Sequence, residues 1–335
     1  MGNSEFLKLR NSFFGGKKIL VTGASGYLAN NLIGQLADED CSIVRLSRRE
    51  FPKSVANRKA KIEDIQGDIC DPMLWHDLLR KVDVVYHLAA QTSVYVAEDD
   101  PEADWRINVL PMLNILQACR KNHYRPMIVF AGTVTEAGIP PRLPVNEQQC
   151  DMPVTVYDLH KLWAEQYLRH YVRLGIVSGC VLRLANVYGP GPKSSSADRG
   201  IINLMMLRAI SGKELTVYGT GEFIRDYVYI DDVVEAFLRA SIYVEKVNGR
   251  YFVIGSGKGT TIVEAINMVA DRVAARTSKR VDVRHIDPPD GLSVIESRNF
   301  IADTNSYNVA TGWLAAYSLV DGIDKTLDAV FNTVN

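Results

Sequence analysis

The chain has 335 residues, 47% of them hydrophobic and 23% charged, with 38 Lys+Arg against 39 Asp+Glu. At about 150 residues per domain, that length suits two domains or one large α/β unit with an ordinary core. The formal net charge of −1 gives no basic excess for a nucleic-acid partner, and no apolar run approaches the roughly 18 residues that cross a bilayer.

Cys41, Cys70, Cys119, Cys150 and Cys180 form no C-x-x-C pair. They read as reduced thiols of a cytoplasmic protein, and no metal centre is expected. Residues 1–16 lack the long apolar run of a secretory signal and read as an N-terminal arm. Gly2 opens no acylation motif, because position 6 is Phe where Ser or Thr is needed.

From residue 17 onward, short β-branched runs alternate with helical patterns. Strands are expected over 18–22, 42–46, 62–69, 82–88, 127–130 and 178–184. Helices are expected over 27–37, after Asp71-Pro72, over 101–122 and over 156–175. Near-continuous apolar strands separated by helices predict an α/β fold, a doubly wound parallel sheet of Rossmann type. The pattern changes near residue 186, where Gly189-Pro-Gly-Pro192 and a polar stretch over 193–200 lead into shorter elements. We expect an arm over 1–16, a dinucleotide-binding domain over 17–185 with some return from the C-terminal half, and a smaller α/β substrate-binding lobe over 186–335.

The first strand runs into Thr22-Gly23-Ala24-Ser25-Gly26-Tyr27-Leu28-Ala29. A glycine turn between a buried strand and a helix N-terminus brings backbone amides and the helix dipole to a pyrophosphate. Gly23 serves the turn, Gly26 admits the phosphates, and Ala29 takes the place of a third glycine. The second strand ends in Ser47-Arg48-Arg49, with no carboxylate for a ribose 2′-hydroxyl. Arginine there suits a 2′-phosphate, so NADP(H) is favoured and NAD is the alternative. Asp68 is placed to meet the adenine amino group, or else to serve a turn ahead of Asp71.

Tyr157 and Lys161 stand at i and i+4, on one face of a helix. An ammonium beside a phenol favours the phenolate, which makes Tyr157 a general acid/base for alcohol–ketone interconversion. Lys161 would also hold the nicotinamide ribose. Thr133, at the end of the fifth strand, can hydrogen-bond the reacting oxygen, and Thr135 is its rival. Trp163 and Cys180 read as core, His87 as strand packing, and His160 as a residue on the helix flank.

The runs TGASGYLA, GDICD, HLAA, INVLPMLNILQACR, YDLHK, RLANVYGPG, IRDYVYIDDVV and ADTNSYNVATGW together resemble the extended short-chain dehydrogenase/reductase superfamily, in its nucleotide-sugar epimerase/dehydratase branch. The resemblance covers residues 17 to about 331. It implies Thr133, Tyr157 and Lys161 as the catalytic set, with Asn108 supporting the active-site helix beside the cofactor. It also implies cofactor contacts from Ser25, Tyr27, Leu28, Ile69, Leu88, Ala89 and Ala90. Thr92, Asn186, Arg225 and Arg298 are implied on the side of a nucleotide-diphosphate sugar. Arginine forks suit a diphosphate. Asp231 and Asp232 read instead as caps of the next helix. A homodimer built on the helices over 101–122 and 156–175 is also implied.

The departures from that branch narrow the chemistry. Its 4,6-dehydratases carry an acid two residues after the catalytic Thr, where this chain has Thr135, while Glu136 comes one residue late. The expected reaction is therefore NADPH-dependent 4-keto reduction of a nucleotide-linked deoxyhexose. The alternative is a nucleotide-sugar 4-epimerase with tightly bound NAD. A dinucleotide sensor without turnover is disfavoured by the retained Tyr–Lys pair, and a steroid or flavonoid ketone by Asn186 and Arg225.

Overall fold

The computed structural model describes residues 3–51, 58–192 and 200–334, so most of the polar stretch after Pro192 lies outside the described residues. In chain order the first half comprises α1 (Asn3–Phe14), β1 (Lys18–Thr22), α2 (Tyr27–Leu36), β2 (Ser42–Ser47), β3 (Lys61–Gln66), α3 (Leu74–Leu78), β4 (Val84–His87), α4 (Val94–Asp99), α5 (Pro101–Asn108), α6 (Leu110–Asn122), β5 (Met127–Thr133), α7 (Val156–Arg173) and β6 (Ser178–Leu184). The second half adds β7 (Asn186–Tyr188), α8 (Ile201–Ile210), β8 (Leu215–Tyr218), β9 (Ile224–Tyr229), α9 (Ile230–Ile242), α10 (Val244–Val247), β10 (Tyr251–Ile254), β11 (Gly259–Thr261), α11 (Ile262–Thr277), β12 (Val283–Ile286), α12 (Asn305–Thr311) and α13 (Leu319–Val334).

Seven strands form one sheet in the order β10-β6-β5-β4-β1-β2-β3, parallel at every pairing. Its central strands are apolar along their length because both faces are covered. Ile19 and Val21 of β1 pack into one core and Leu20 into the other, as the two-residue period requires. Chain order reverses between β1 and β4, which opens a crevice at the carboxyl ends of those strands. A three-stranded sheet (β11-β9-β7) and a two-stranded one (β12-β8) lie in the second half. No helix of the described residues is long and apolar enough to cross a membrane.

Several expectations are corrected. Much of the segment expected as an arm is ordered helix: α1 (Asn3–Phe14) buries Phe6 and Phe14, sets Phe6 3.9 Å below the Arg239 guanidinium, and pairs Arg10 with Glu39. The helix expected over 101–122 is two helices, α5 and α6, broken at Val109. Pro111 has no N–H to give the Ile107 carbonyl, so the ladder is interrupted there. The third strand ends at Gln66, which leaves Asp68 and Ile69 in the turn beyond it. Asp231 and Asp232 do not cap α9, whose N-cap is Tyr229; the Asp232 carboxylate instead accepts the Ala316 and Tyr317 amides. Trp163 is not core but 42% exposed, because the buried stripe of α7 runs through Tyr157, Lys161, Ala164 and Leu168.

Candidate active site

Helix α2 starts after Gly26, and no side chain caps its first amides. The turn is held from below. Gly23 has φ +65°, and a Cβ there would stand 2.8 Å from the Ala89 Cα, so only glycine fits. Thr22 Oγ1 accepts the Leu88 and Ala89 amides at 3.1 Å each, which fastens the loop after β4 to the glycine turn. Ser25 Oγ and Ser47 Oγ are 2.8 Å apart, and Ser47 Oγ accepts the Arg49 amide. Arg48 and Arg49 are exposed. Asp68 accepts the Cys70 amide at 2.9 Å, and this bond, with Arg48 and Arg106 nearby, holds its carboxyl below the usual range. Ser25, Gly26, Tyr27, Leu28, Ser47, Leu88, Ala89 and Ala90 thus border the ends of adjacent strands, although the Tyr27 hydroxyl is already committed to the Gly189 carbonyl at 3.1 Å.

Thr133 ends β5 and caps the 3₁₀ turn Val134–Ala137. Its hydroxyl lies 2.9 Å from that of Thr135, so the two hydroxyls are hydrogen-bonded to each other. Helix α7 is capped by the Thr155 hydroxyl, which accepts the Asp158 amide at 3.2 Å. Its first two turns carry Tyr157 and Lys161, both buried. The Lys161 ammonium stands 4.0 Å from the centroid of the Phe130 ring. Burial pushes its pKa down to about 8, while Glu136, Asp104 and Glu165 pull the other way. Phe130 is also stacked on His87, at 5.7 Å between centroids.

Asn108 is linked to α7 through Asp104. Its amide and that of Gln91 donate to Asp104 Oδ1 at 2.9 and 2.8 Å, and Asp104 Oδ2 meets His160 Nδ1 at 2.7 Å. His160 therefore faces α5 and is buried, contrary to its expected place on the helix flank.

Arg225 of β9 and Arg298 are both buried and adjacent. Arg225 donates to the carbonyls of Ile224, Glu296 and Arg298, and Arg298 donates to the Ile295 carbonyl. In this state Arg225 spends both Nη atoms on the 295–298 turn, and Arg298 gives one donor to it. Asn186 lies on β7, one strand from Arg225, and is half-buried, as is Thr92 in the loop after β4.

A profile of the NAD dependent epimerase/dehydratase family matches residues 19–255. The chain belongs to that family. It is 30% identical over 316 residues to a UDP-glucose 4-epimerase of Mycolicibacterium smegmatis, covering 93% of this chain and 97% of that one. Among solved structures, the UDP-glucose 4-epimerase of Thermotoga maritima, crystallised with UDP-glucose, superposes with a TM-score of 0.83 at 28% identity, over 95% of this chain and all of the other. The UDP-glucose 4-epimerase of Thermus thermophilus, a complex with NAD, does so at 0.78 and 26% identity, over 93% and 98%.

Within this family fold, sequence reasoning passed over one group. Glu136, one residue late for the dehydratase acid, is fully buried, and its Oε1 accepts the Thr133 amide at 2.8 Å. The capping-box spacing, Thr133 followed three residues later by Glu, was the available signal. Around it, Arg183 bonds Glu165 at 2.8 and 2.9 Å and Asp151 at 3.0 Å, and stacks 3.8 Å from the Tyr251 ring.

Proposed function

We propose that this chain is a nucleotide-sugar 4-epimerase that works with a nicotinamide dinucleotide on a UDP-hexose. The observation that carries the reading is the turn after β5. It offers a hydroxyl pair, Thr133 and Thr135, and packs against α7, the helix that carries Tyr157 and Lys161. Its single acid, Glu136, is bonded to the Thr133 amide. Elimination at C5–C6 needs a free acid or base there, so 4,6-dehydration is disfavoured. The similarity to UDP-glucose 4-epimerases over almost the whole chain supports the same reading.

The residues fit a dinucleotide. The uncapped amides at the start of α2 suit a pyrophosphate. Gly23, Ser25, Gly26 and Leu28 would line it, with Asp68 and Ile69 toward the adenine and Leu88, Ala89, Ala90 and Asn108 toward the nicotinamide. When bound, the nicotinamide supplies reversible hydride exchange at the sugar C4. Tyr157 would take the C4 hydroxyl proton and return it to the same oxygen, whichever face of C4 is reduced. Thr133 would hold the same oxygen, and Lys161 would favour the phenolate and hold the ribose. Asn186, Arg225 and Arg298 would meet the diphosphate once the forks turn from the 295–298 carbonyls.

Incubation with UDP-glucose or UDP-galactose and NAD, followed by proton NMR, should give the same sugar mixture from either side. A second reading, NADPH-dependent reduction of a 4-keto nucleotide sugar, is favoured by exposed Arg48 and Arg49 at the end of β2 and the absence of a carboxylate there. NADPH consumption with a 4-keto-6-deoxy nucleotide sugar, without UDP-hexose interconversion, would select it. We also propose a homodimer through α7, whose Trp163 and Tyr167 are exposed; sedimentation velocity tests it.

A further inference from the structure

Tyr157 is 6% exposed, and part of its cover comes from outside α7. Val94 and Ala97 of α4 form one buried cluster with Tyr157 and Ile295. Helix α4 has only six residues, too few to hold its place by its own hydrogen bonds. It is fastened at both ends instead. At its C-terminal end, Glu98 Oε1 accepts the amide of Val156, the residue before Tyr157, at 2.9 Å. At its N-terminal end, Ser93 Oγ accepts the Val96 amide at 3.4 Å. The Ser93 carbonyl accepts Gln91 Nε2 at 2.7 Å, and the Ser93 amide donates to Gln91 Oε1. Gln91 Nε2 also donates to Asp104 Oδ1 at 2.8 Å.

We infer that Asp104 is a positioning residue of the active site: it ties the loop entering α4 to the helix that carries Tyr157, and so sets α4 against the Tyr157 ring. Asp104 is 1% exposed, and its two oxygens accept donors from three segments. These are Gln91 from the loop after β4, Asn108 from the next turn of α5 at 2.9 Å, and His160 Nδ1 from α7 at 2.7 Å. The imidazole supplies that N–H whether it is neutral or protonated. Asn108 closes the ring by donating to the Gln91 carbonyl at 3.0 Å. His160 stands three residues after Tyr157 and one before Lys161, so the contact fixes the stretch of α7 that carries both. Burying a carboxylate is costly, and an apolar side chain of similar size would pack α5 on α7 without that cost. What the apolar group lacks is direction, which three hydrogen bonds to one carboxylate provide. Proton transfer from Tyr157 depends steeply on that placement. Asn186 and Arg225 stand apart from the clamp, on β7 and β9 of a separate sheet. A fault in the clamp therefore slows the chemical step and spares the hold on the nucleotide.

The acid/base role of Tyr157 rests on the proposed function, so the test begins with a readout that needs no substrate. Hydrogen-exchange mass spectrometry of the full chain compares wild-type with Asp104→Leu and Asp104→Asn. Leu keeps the bulk and removes every acceptor. Asn keeps an acceptor for Gln91 and Asn108 and turns its amide to His160, whose Nδ1 accepts in the other tautomer. Amides over 93–100 should exchange at least about tenfold faster in Asp104→Leu, those of β1 and β9 should not change, and Asp104→Asn should stay near wild-type. Unmoved exchange over 93–100, or an equal rise along the whole chain, would overturn the clamp. In the UDP-hexose assay, Asp104→Leu should lose at least about tenfold in kcat with the Kd for UDP unchanged, and Asp104→Asn should recover to within about threefold. Wild-type kcat in Asp104→Leu, or equal losses in the two variants, would overturn the positioning role. If Asp104→Leu fails to fold, Gln91→Leu, which cuts only the tie to the loop, must itself speed exchange over 93–100, and unmoved exchange there refutes the proposal. If the wild-type protein shows no epimerisation, the proposed reaction fails while the exchange pattern still decides whether Asp104 holds α4.

Discussion

The Thr22 hydroxyl accepts the amides of Leu88 and Ala89 and lies 2.9 Å from His87 Nδ1. With its lone pairs taken, it donates its own proton to Nδ1, so the ring proton of His87 sits on Nε2. That nitrogen is buried with no hydrogen-bond partner among the described residues.

Burial, reinforced by Lys161, pushes the His87 pKa down to about 3 from 6.5. The unfolded chain protonates this group below pH 6.5 and the folded chain does not. Stability from this residue is therefore complete above pH 6.5 and falls as the pH drops toward 3, by about 1.4 kcal/mol per unit. Urea unfolding at pH 7 and pH 5 should show a steeper loss for wild-type than for His87→Gln. Equal losses would mean that His87 titrates normally in the fold.

The His160–Asp104 contact joins α7 to α5 and, through Gln91, to the loop after β4. His160→Ala leaves a buried carboxylate with only its amide donors and should cost about 2–4 kcal/mol. His160→Asn, which keeps a donor, should restore part of that. Denaturant midpoints of the two variants check the order, and identical midpoints would show that the bond contributes nothing.

Tyr157→Phe keeps the packing of α7 and removes the proton donor. We expect kcat to fall by about 10²–10⁴-fold with dinucleotide content unchanged. Turnover within tenfold of wild-type would move the acid/base role to another group.

Arg48 and Arg49 are exposed, so replacing both with Ser should change stability by less than about 0.5 kcal/mol. If they face a 2′-phosphate, the same change should weaken NADP binding roughly 10–100-fold and spare NAD. Equal effects on both dinucleotides would make them solvated surface charges.

The alternation of strands and helices was legible because each element repeats its own period over neighbouring residues. β1 spans 18–22 and β6 178–184, as their apolar runs require. The 101–122 helix was misjudged because its apolar period continues across Pro111, whereas the hydrogen-bond ladder does not. Trp163 was misassigned because a large apolar residue names a preference for burial without saying which face of α7 meets the sheet.

The sequence by itself determined the order of the Rossmann elements, the glycine turn after β1, and the positions of Thr133, Tyr157 and Lys161 at the ends of their elements, since these depend on residues a few places apart. Only the tertiary structure decided who meets whom across the chain. Examples are Asp104 with His160, 56 residues on; Arg225 with the Arg298 carbonyl, 73 residues on; and the Arg183 cluster that encloses Glu136. Buried polar groups take whichever partner the packing of strands and helices brings within reach, and no local period encodes that choice.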